Sequence, residues 1–189
     1  MDAALDLLAE RGEDGVTLRE LTDAAEANVA AVSYHFGSLK SLCEAAIEHA
    51  LERYLDAQHE ALSTLGQEST LEDLAAAFAR PMIRALATGG RDLAVMRIVA
   101  RAGMAPPQSW ERFDPRFDEV RGDVLQVLKG HVHGAKDREL ILRTRCAAGM
   151  LNWLALAPVG AGLRNKTAKQ LERLLVPVVA GAFRGTSRV

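Results

Sequence analysis

The chain has 189 residues, 49% of them hydrophobic and 25% charged, with a formal net charge of −2. That length suits one large domain or a small plus a medium one. The absence of any run of about 18 uncharged apolar residues argues against a membrane-spanning helix. The acidic start, MDAALDLLAERG, lacks the basic flank of a signal peptide, so a cytoplasmic protein without membrane contact is expected.

Ala and Leu dominate, aromatic residues make up 5%, and no alternating β-branched run is long enough for a sheet. The predicted fold class is all-α, with about nine helices. Residues 3–11 place Ala4, Leu5 and Leu8 on one face, and Gly12 closes the helix. Thr17-Leu18-Arg19-Glu20 is a capping box that opens a short helix to residue 24. Asn28 caps a third short helix to residue 35. Ser38, after Gly37, caps a long helix over 39–62. A loop at 66–69 precedes the cap Thr70 and a helix to residue 86, which Gly89-Gly90 ends; residues 91–102 form the next helix. Residues 103–114 read as a Pro-rich loop. Asp114-Pro115 is a preorganised start for a helix to residue 132. Two further helices cover 136–157 and 167–183, the last opened by a capping box at Thr167 and kinked at Pro177. Cys43 and Cys146 lie in apolar helical patterns and are expected to be buried thiols.

The two short helices over 17–24 and 28–35, joined by a tight turn, have the dimensions of a helix-turn-helix. In that arrangement the second helix enters the major groove with its first residues at the base edges. Val29, Ala30 and Ala31 are small enough to let it sit deep and touch thymine methyls, and Asn28 can meet a base or a phosphate. Ser33, Tyr34 and His35 follow where hydroxyls and imidazole meet phosphates. Thr17 and Ser38 mark helix starts with positive dipole ends, and Arg19 and Lys40 add charge. The expected DNA-contacting set is therefore Thr17, Arg19, Asn28, Val29, Ala31, Ser33, Tyr34, His35, Ser38 and Lys40. The charge balance opposes it: residues 1–50 hold ten acidic residues against three basic ones, Arg11, Arg19 and Lys40. Phosphate neutralisation normally supplies much of a DNA reader's affinity.

The stretch Val16-Thr17-Leu18-Arg19-Glu20-Leu21, and then Asn28 through Leu42 with its Tyr34-His35-Phe36 close, resembles the tetracycline-repressor (TetR) family. The likeness is detailed over residues 3–55. It implies a homodimeric regulator, usually a repressor, with a small DNA-reading domain and a helical domain that holds a small-molecule effector. By motif position it also implies that Thr17, Arg19, Asn28, Tyr34, His35 and Lys40 meet DNA. The chain departs from the family at Glu26, where a glycine is frequent, and at Ala27, where a larger apolar residue is usual.

The expected division is residues 1–45 for the helix-turn-helix domain and 46–189 for the ligand-binding and dimerisation domain, with the long helix as the joint. The second domain shows no phosphate loop, nucleophile elbow or paired-carboxylate motif, so no enzyme is expected. His131 and His133 alone do not make a metal site, and neither metal nor cofactor is expected. Its large soft side chains, Phe78, Met82, Leu86, Met96, Val99, Met104, Trp110, Phe113, Phe117, Met150 and Trp153, are the candidate lining of a pocket for a hydrophobic or aromatic ligand. Ala147, Leu151, Leu171, Leu174, Leu175, Val178, Val179 and Phe183 are the candidate dimer surface. The partners expected are a palindromic double-stranded operator, a small-molecule effector and a second copy of the chain. The alternative is a helical small-molecule- or protein-binding module with an impaired reading head, which the acidic balance favours.

Overall fold

A computed structural model of the chain describes residues 1–66, 68–104, 114–157, 163 and 166–185, with the backbone alone for Asp114. Among the described residues there are nine α-helices and no strand: α1 Asp2–Arg11, α2 Leu18–Ala24, α3 Val29–Phe36, α4 Leu39–Ser63, α5 Leu71–Thr88, α6 Gly90–Ala102, α7 Asp114–His131, α8 Asp137–Leu156 and α9 Ala168–Arg184. A 3₁₀ turn at Glu13–Gly15, which the sequence pattern does not announce, links α1 to α2.

The starts follow the caps. Thr17 accepts from the Glu20 amide while the Glu20 carboxylate takes the Thr17 amide at 3.2 Å and the Thr17 hydroxyl at 2.6 Å. These bonds, with Arg11 at 2.6 Å, hold the Glu20 carboxyl below its usual pKa. Thr70 with Asp73 and Thr167 with Gln170 repeat the device at α5 and α9. Each box satisfies amides that the first helical turn leaves without carbonyl partners. Pro81 lies within α5, and α9 runs past Pro177 to Arg184. Between α2 and α3 the chain turns at Glu26 with φ +49°, a left-handed conformation costing about 1 kcal/mol without glycine. The Ala27 amide donates to the Thr22 carbonyl at 2.9 Å and pins that turn.

Two apolar clusters organise the rest. One gathers α5, α8 and α9 with parts of α4, α6 and α7; there the Phe78 and Phe183 rings meet edge to face at 5.4 Å. Arg143 on α8 donates to the last carbonyls of α9, Phe183 at 3.0 Å and Arg184 at 2.5 Å, and so closes that helix end. The other cluster joins Leu5, Leu8, Val16, Leu21, Val32 and Leu42 of the head to Leu51 and Leu55 further along α4 and to Val95, Ile98 and Val99 of α6. A boundary after residue 45 therefore falls inside α4, and the head's core includes one face of α6. Two polar tethers reinforce this join: Arg91 pairs with Asp2 at 2.8 Å, and Arg101 donates to the Glu10 carbonyl at 3.0 Å.

One expectation about the thiols is corrected. Cys43 is buried, but Cys146 is exposed, because it lies on the outer face of α8. Trp110 and Phe113, with most of the loop between α6 and α7, lie outside the described residues.

Candidate reading head and effector cavity

The head displays the expected face. Thr17, Arg19, Asn28, Val29, Ser33, Tyr34, His35, Ser38 and Lys40 are all exposed, and Ala31 is half-buried. Val32 points the other way into the core and holds α3 against the head. Tyr34 stands 84% exposed, its ring edge to face with His35 at 4.9 Å. So open an aromatic side chain contributes nothing to the core and is free to meet another surface. Asn28 accepts from the Ala30 amide at 2.9 Å, which occupies its carbonyl oxygen. Ser38 accepts from the Ser41 amide at 3.0 Å.

Each of the three cations of residues 1–50 has an acidic neighbour. Arg11 lies 2.6 Å from Glu20, Arg19 3.8 Å from Asp23, and Lys40 3.9 Å from Glu44. The last two pairs are long and exposed, and such surface pairs are worth about 0–1 kcal/mol. Arg19 and Lys40 can thus leave their carboxylates for phosphates at small cost. Arg11 is held more closely, as part of the Glu20 cap.

The second domain carries an open cavity of about 410 Å³ that reaches the surface. Tyr54 of α4, Phe78 of α5, Val99 of α6 and Gly103 just after it form part of the wall. Phe117, Val120, Arg121 and Val124 of α7 and Ile141, Thr144, Arg145, Ala148 and Asn152 of α8 complete it. A mostly apolar space of this volume, with a few polar groups, has the character of a small-molecule site. Arg121 is paired with Asp118 at 2.5 Å, whereas Arg145 is exposed and has no partner among the described residues. Burial pushes the Tyr54 phenol up to about 12, so it stays neutral at ordinary pH.

Of the expected pocket residues, Phe78, Val99 and Phe117 line this cavity. Met82 and Met96 are buried beside a smaller space that adjoins it. Leu86 and Met150 are half-buried against the core without lining it. Met104 and Trp153, 71% and 64% exposed, stand on the surface and do not line it. Residue type misleads for the rest because a void is bounded by whatever fails to fill it, and Gly103, Val120, Val124 and Ala148 are small. Gln58 is also missed by residue type, although the sequence marks it. It is the lone polar member of the buried α4 stripe Leu51, Leu55, Gln58 and Leu62.

The residues of the expected dimer surface divide between an inward and an outward face. Ala147, Leu151, Leu171, Leu175, Val179 and Phe183 are buried within the subunit itself, while Leu174 and Val178 are half-exposed. The four-residue stripe of α9 from Leu171 to Phe183 packs inward onto α5. The outward stripe is one residue away: Leu174, Val178 and Gly181 on α9, with Leu142, Cys146, Gly149 and Trp153 on α8. Both faces of α9 are apolar, and sequence alone does not rank them.

Fold and surfaces define a class: a helix-turn-helix regulator whose head is joined to a cavity-bearing helical domain. A sequence profile described as "Bacterial regulatory proteins, tetR family" matches residues 1–46, and one described as "Tetracyclin repressor-like, C-terminal domain" matches residues 76–182. No curated protein sequence matches the chain. Among solved structures it is similar to the TetR family transcriptional regulator PfmR from Thermus thermophilus, with 19% identity, a TM-score of 0.68, and coverage of 99% of this chain and 98% of that one. It is also similar to AibR in complex with isovaleryl coenzyme A and operator DNA, at 16% identity and a TM-score of 0.71, covering 94% of each chain. The ketosteroid transcriptional regulator KstR2 of Mycobacterium tuberculosis is 16% identical with a TM-score of 0.64, over 94% of this chain and 91% of that one. At such identities the likeness is one of fold; the profiles carry the family. The chain belongs to the tetR family of bacterial regulatory proteins and is a DNA-binding regulator of transcription. Among the described residues no helix is long and apolar enough to cross a membrane.

Proposed function

We propose that this regulator is a cytoplasmic repressor that grips a palindromic operator as a homodimer. One α3 from each copy enters a major groove, and a small hydrophobic or aromatic effector in the α4–α8 cavity tunes the grip. The observation that carries the reading is where the cavity lies. Its walls include Tyr54 on α4, which runs directly out of the head, and Val99 on α6, which belongs to the head's own core. An effector that fits one arrangement of α4 and α6 better than another biases the spacing of the two α3 helices, and it acts by that difference in affinity. The operator half-sites would lie about 34 Å apart or a multiple of it. AibR, of the same fold, has been solved with both an acyl coenzyme A and operator DNA, which supports pairing these two partners.

The direct test is a gel shift with DNA from upstream of the protein's own gene. A salt-sensitive, sequence-preferring complex at micromolar protein is expected, and none at all defeats the reading. Tyr34→Ala should weaken that complex about tenfold on every sequence tested, as the loss of a phosphate contact does. Light scattering should show a dimer at micromolar concentration.

The acidic head favours a second reading, a helical binding module whose DNA grip is impaired. It requires that the purified dimer bind operator and random DNA alike, or neither.

A further inference from the structure

We infer that Gln58 is the polar anchor of the effector, a specificity-determining residue that holds a neutral oxygen group, hydroxyl or carbonyl, at the α4 end of the cavity. The inference deepens the cavity reading above and rests on it.

Gln58 is 1% exposed, and both its Nε2 and its Oε1 are buried without a hydrogen-bond partner. Buried amides are almost always paired, so an amide unpaired at both ends asks for a partner supplied from elsewhere. One turn either side, the same face of α4 carries Leu55 and Leu62, both buried. A leucine at position 58 would continue that stripe with no polar atom to satisfy. The glutamine therefore gives up packing that its neighbours show to be available.

The surroundings say what the partner is. Gln58 lines a space of about 10 Å³ together with Tyr54, Phe78, Met96, Ala148 and Asn152, about the room that one water-sized group needs. Tyr54, Phe78, Ala148 and Asn152 also line the main cavity, so the small space adjoins it across these four side chains. None of the residues lining the small space is charged, and an ion carried there would lose its hydration without a counter-charge. The group that fits is thus neutral and one heavy atom deep. An amide both donates and accepts, so either a hydroxyl or a carbonyl oxygen satisfies it. The body of the effector lies against Phe78, Val99 and Val124, and a hydrocarbon or aryl skeleton matches that wall. The effector class is an apolar skeleton bearing one oxygen at its inner end.

The test uses the full chain, labelled with ¹⁵N and titrated separately with 2-naphthol and with naphthalene, the same rings with and without the hydroxyl. The hydroxylated probe should bind about tenfold tighter, the fold-change that one net hydrogen bond supplies, and it should move the Gln58 side-chain amide resonances. In Gln58→Leu the preference should fall to about twofold or less, with naphthalene affinity kept, because the amide partner is gone. The unliganded variant should melt no lower than the parent, since an unpaired buried amide has been replaced by an apolar group. Gln58→Met carries the same criterion should the leucine variant fail to fold. Equal affinity of the two probes in the parent, or a preference that survives both substitutions, overturns the inference while leaving the cavity in place. Failure of both probes to bind, or shifts confined to residues away from the cavity, defeats the cavity reading and the anchor with it.

Discussion

In the head, every residue expected to meet DNA is exposed except Ala31, which is half-buried. In the cavity domain, Phe78, Val99 and Phe117 line the main cavity among the described residues expected to meet a ligand, while Met104 and Trp153 stand on the surface. The contrast comes from how each site is made. A reading head is a surface carried on short helices, and caps only three residues apart fix their starts: Thr17 with Glu20, and Ser38 with Ser41. The information is local, so the chain shows it. A cavity is what is left between five helices after long-range packing, and small residues at its wall matter more than large ones.

That comparison can be broken or sharpened by substitution. The largest effect belongs to Phe183→Ala. Phe183 is fully buried against Phe78, and removing it should cost about 3–5 kcal/mol in a denaturant titration. Because the head draws on the other apolar cluster, hydrogen exchange should rise most in α5 and α9 and least in α1. Uniform loss of protection would show that the two clusters behave as one. Next is Val178→Asp, on the outward stripe of α9. It should give a monomer by light scattering and lower operator affinity by about a hundredfold, the advantage of linking two heads. A dimer that persists would place the interface elsewhere. Ala148→Phe, which fills the cavity from α8, should abolish naphthalene binding and leave operator affinity unresponsive to added naphthalene. The smallest effect is Asp23→Asn. It frees Arg19 and removes a negative charge from the head, and operator binding should strengthen about threefold at low salt and less at high salt. Weaker binding would mean that Asp23 positions Arg19 rather than competing for it.

The fold was largely legible, because capping boxes and breaking glycines placed the helix starts and ends within a residue or two. The left-handed turn was legible too, from the departure at Glu26 that the structure builds with φ +49°. The division of the chain was less so. No local pattern says that Val95, Ile98 and Val99 of α6 complete the core of Leu5 and Leu8, more than eighty residues earlier. The two faces of α9 were not separable for a related reason: Leu171 and Leu174 read alike until α5 is known to take one of them. Gln58 is the instructive case. Its break in an apolar stripe was visible, but its meaning depended on the empty space beside it.

The two tethers between α1 and α6 bear on how far this molecule can be taken apart. Arg91 holds the start of α1 at Asp2, and Arg101 holds its end at Glu10. Tethered near both ends and packed on a shared core, α1 is set to move with α6. Exchanging reading heads among relatives is thus not a cut at residue 46. A graft that works must bring along the face of α6 that carries Arg91, Val95, Ile98 and Arg101, because the natural module is discontinuous in sequence.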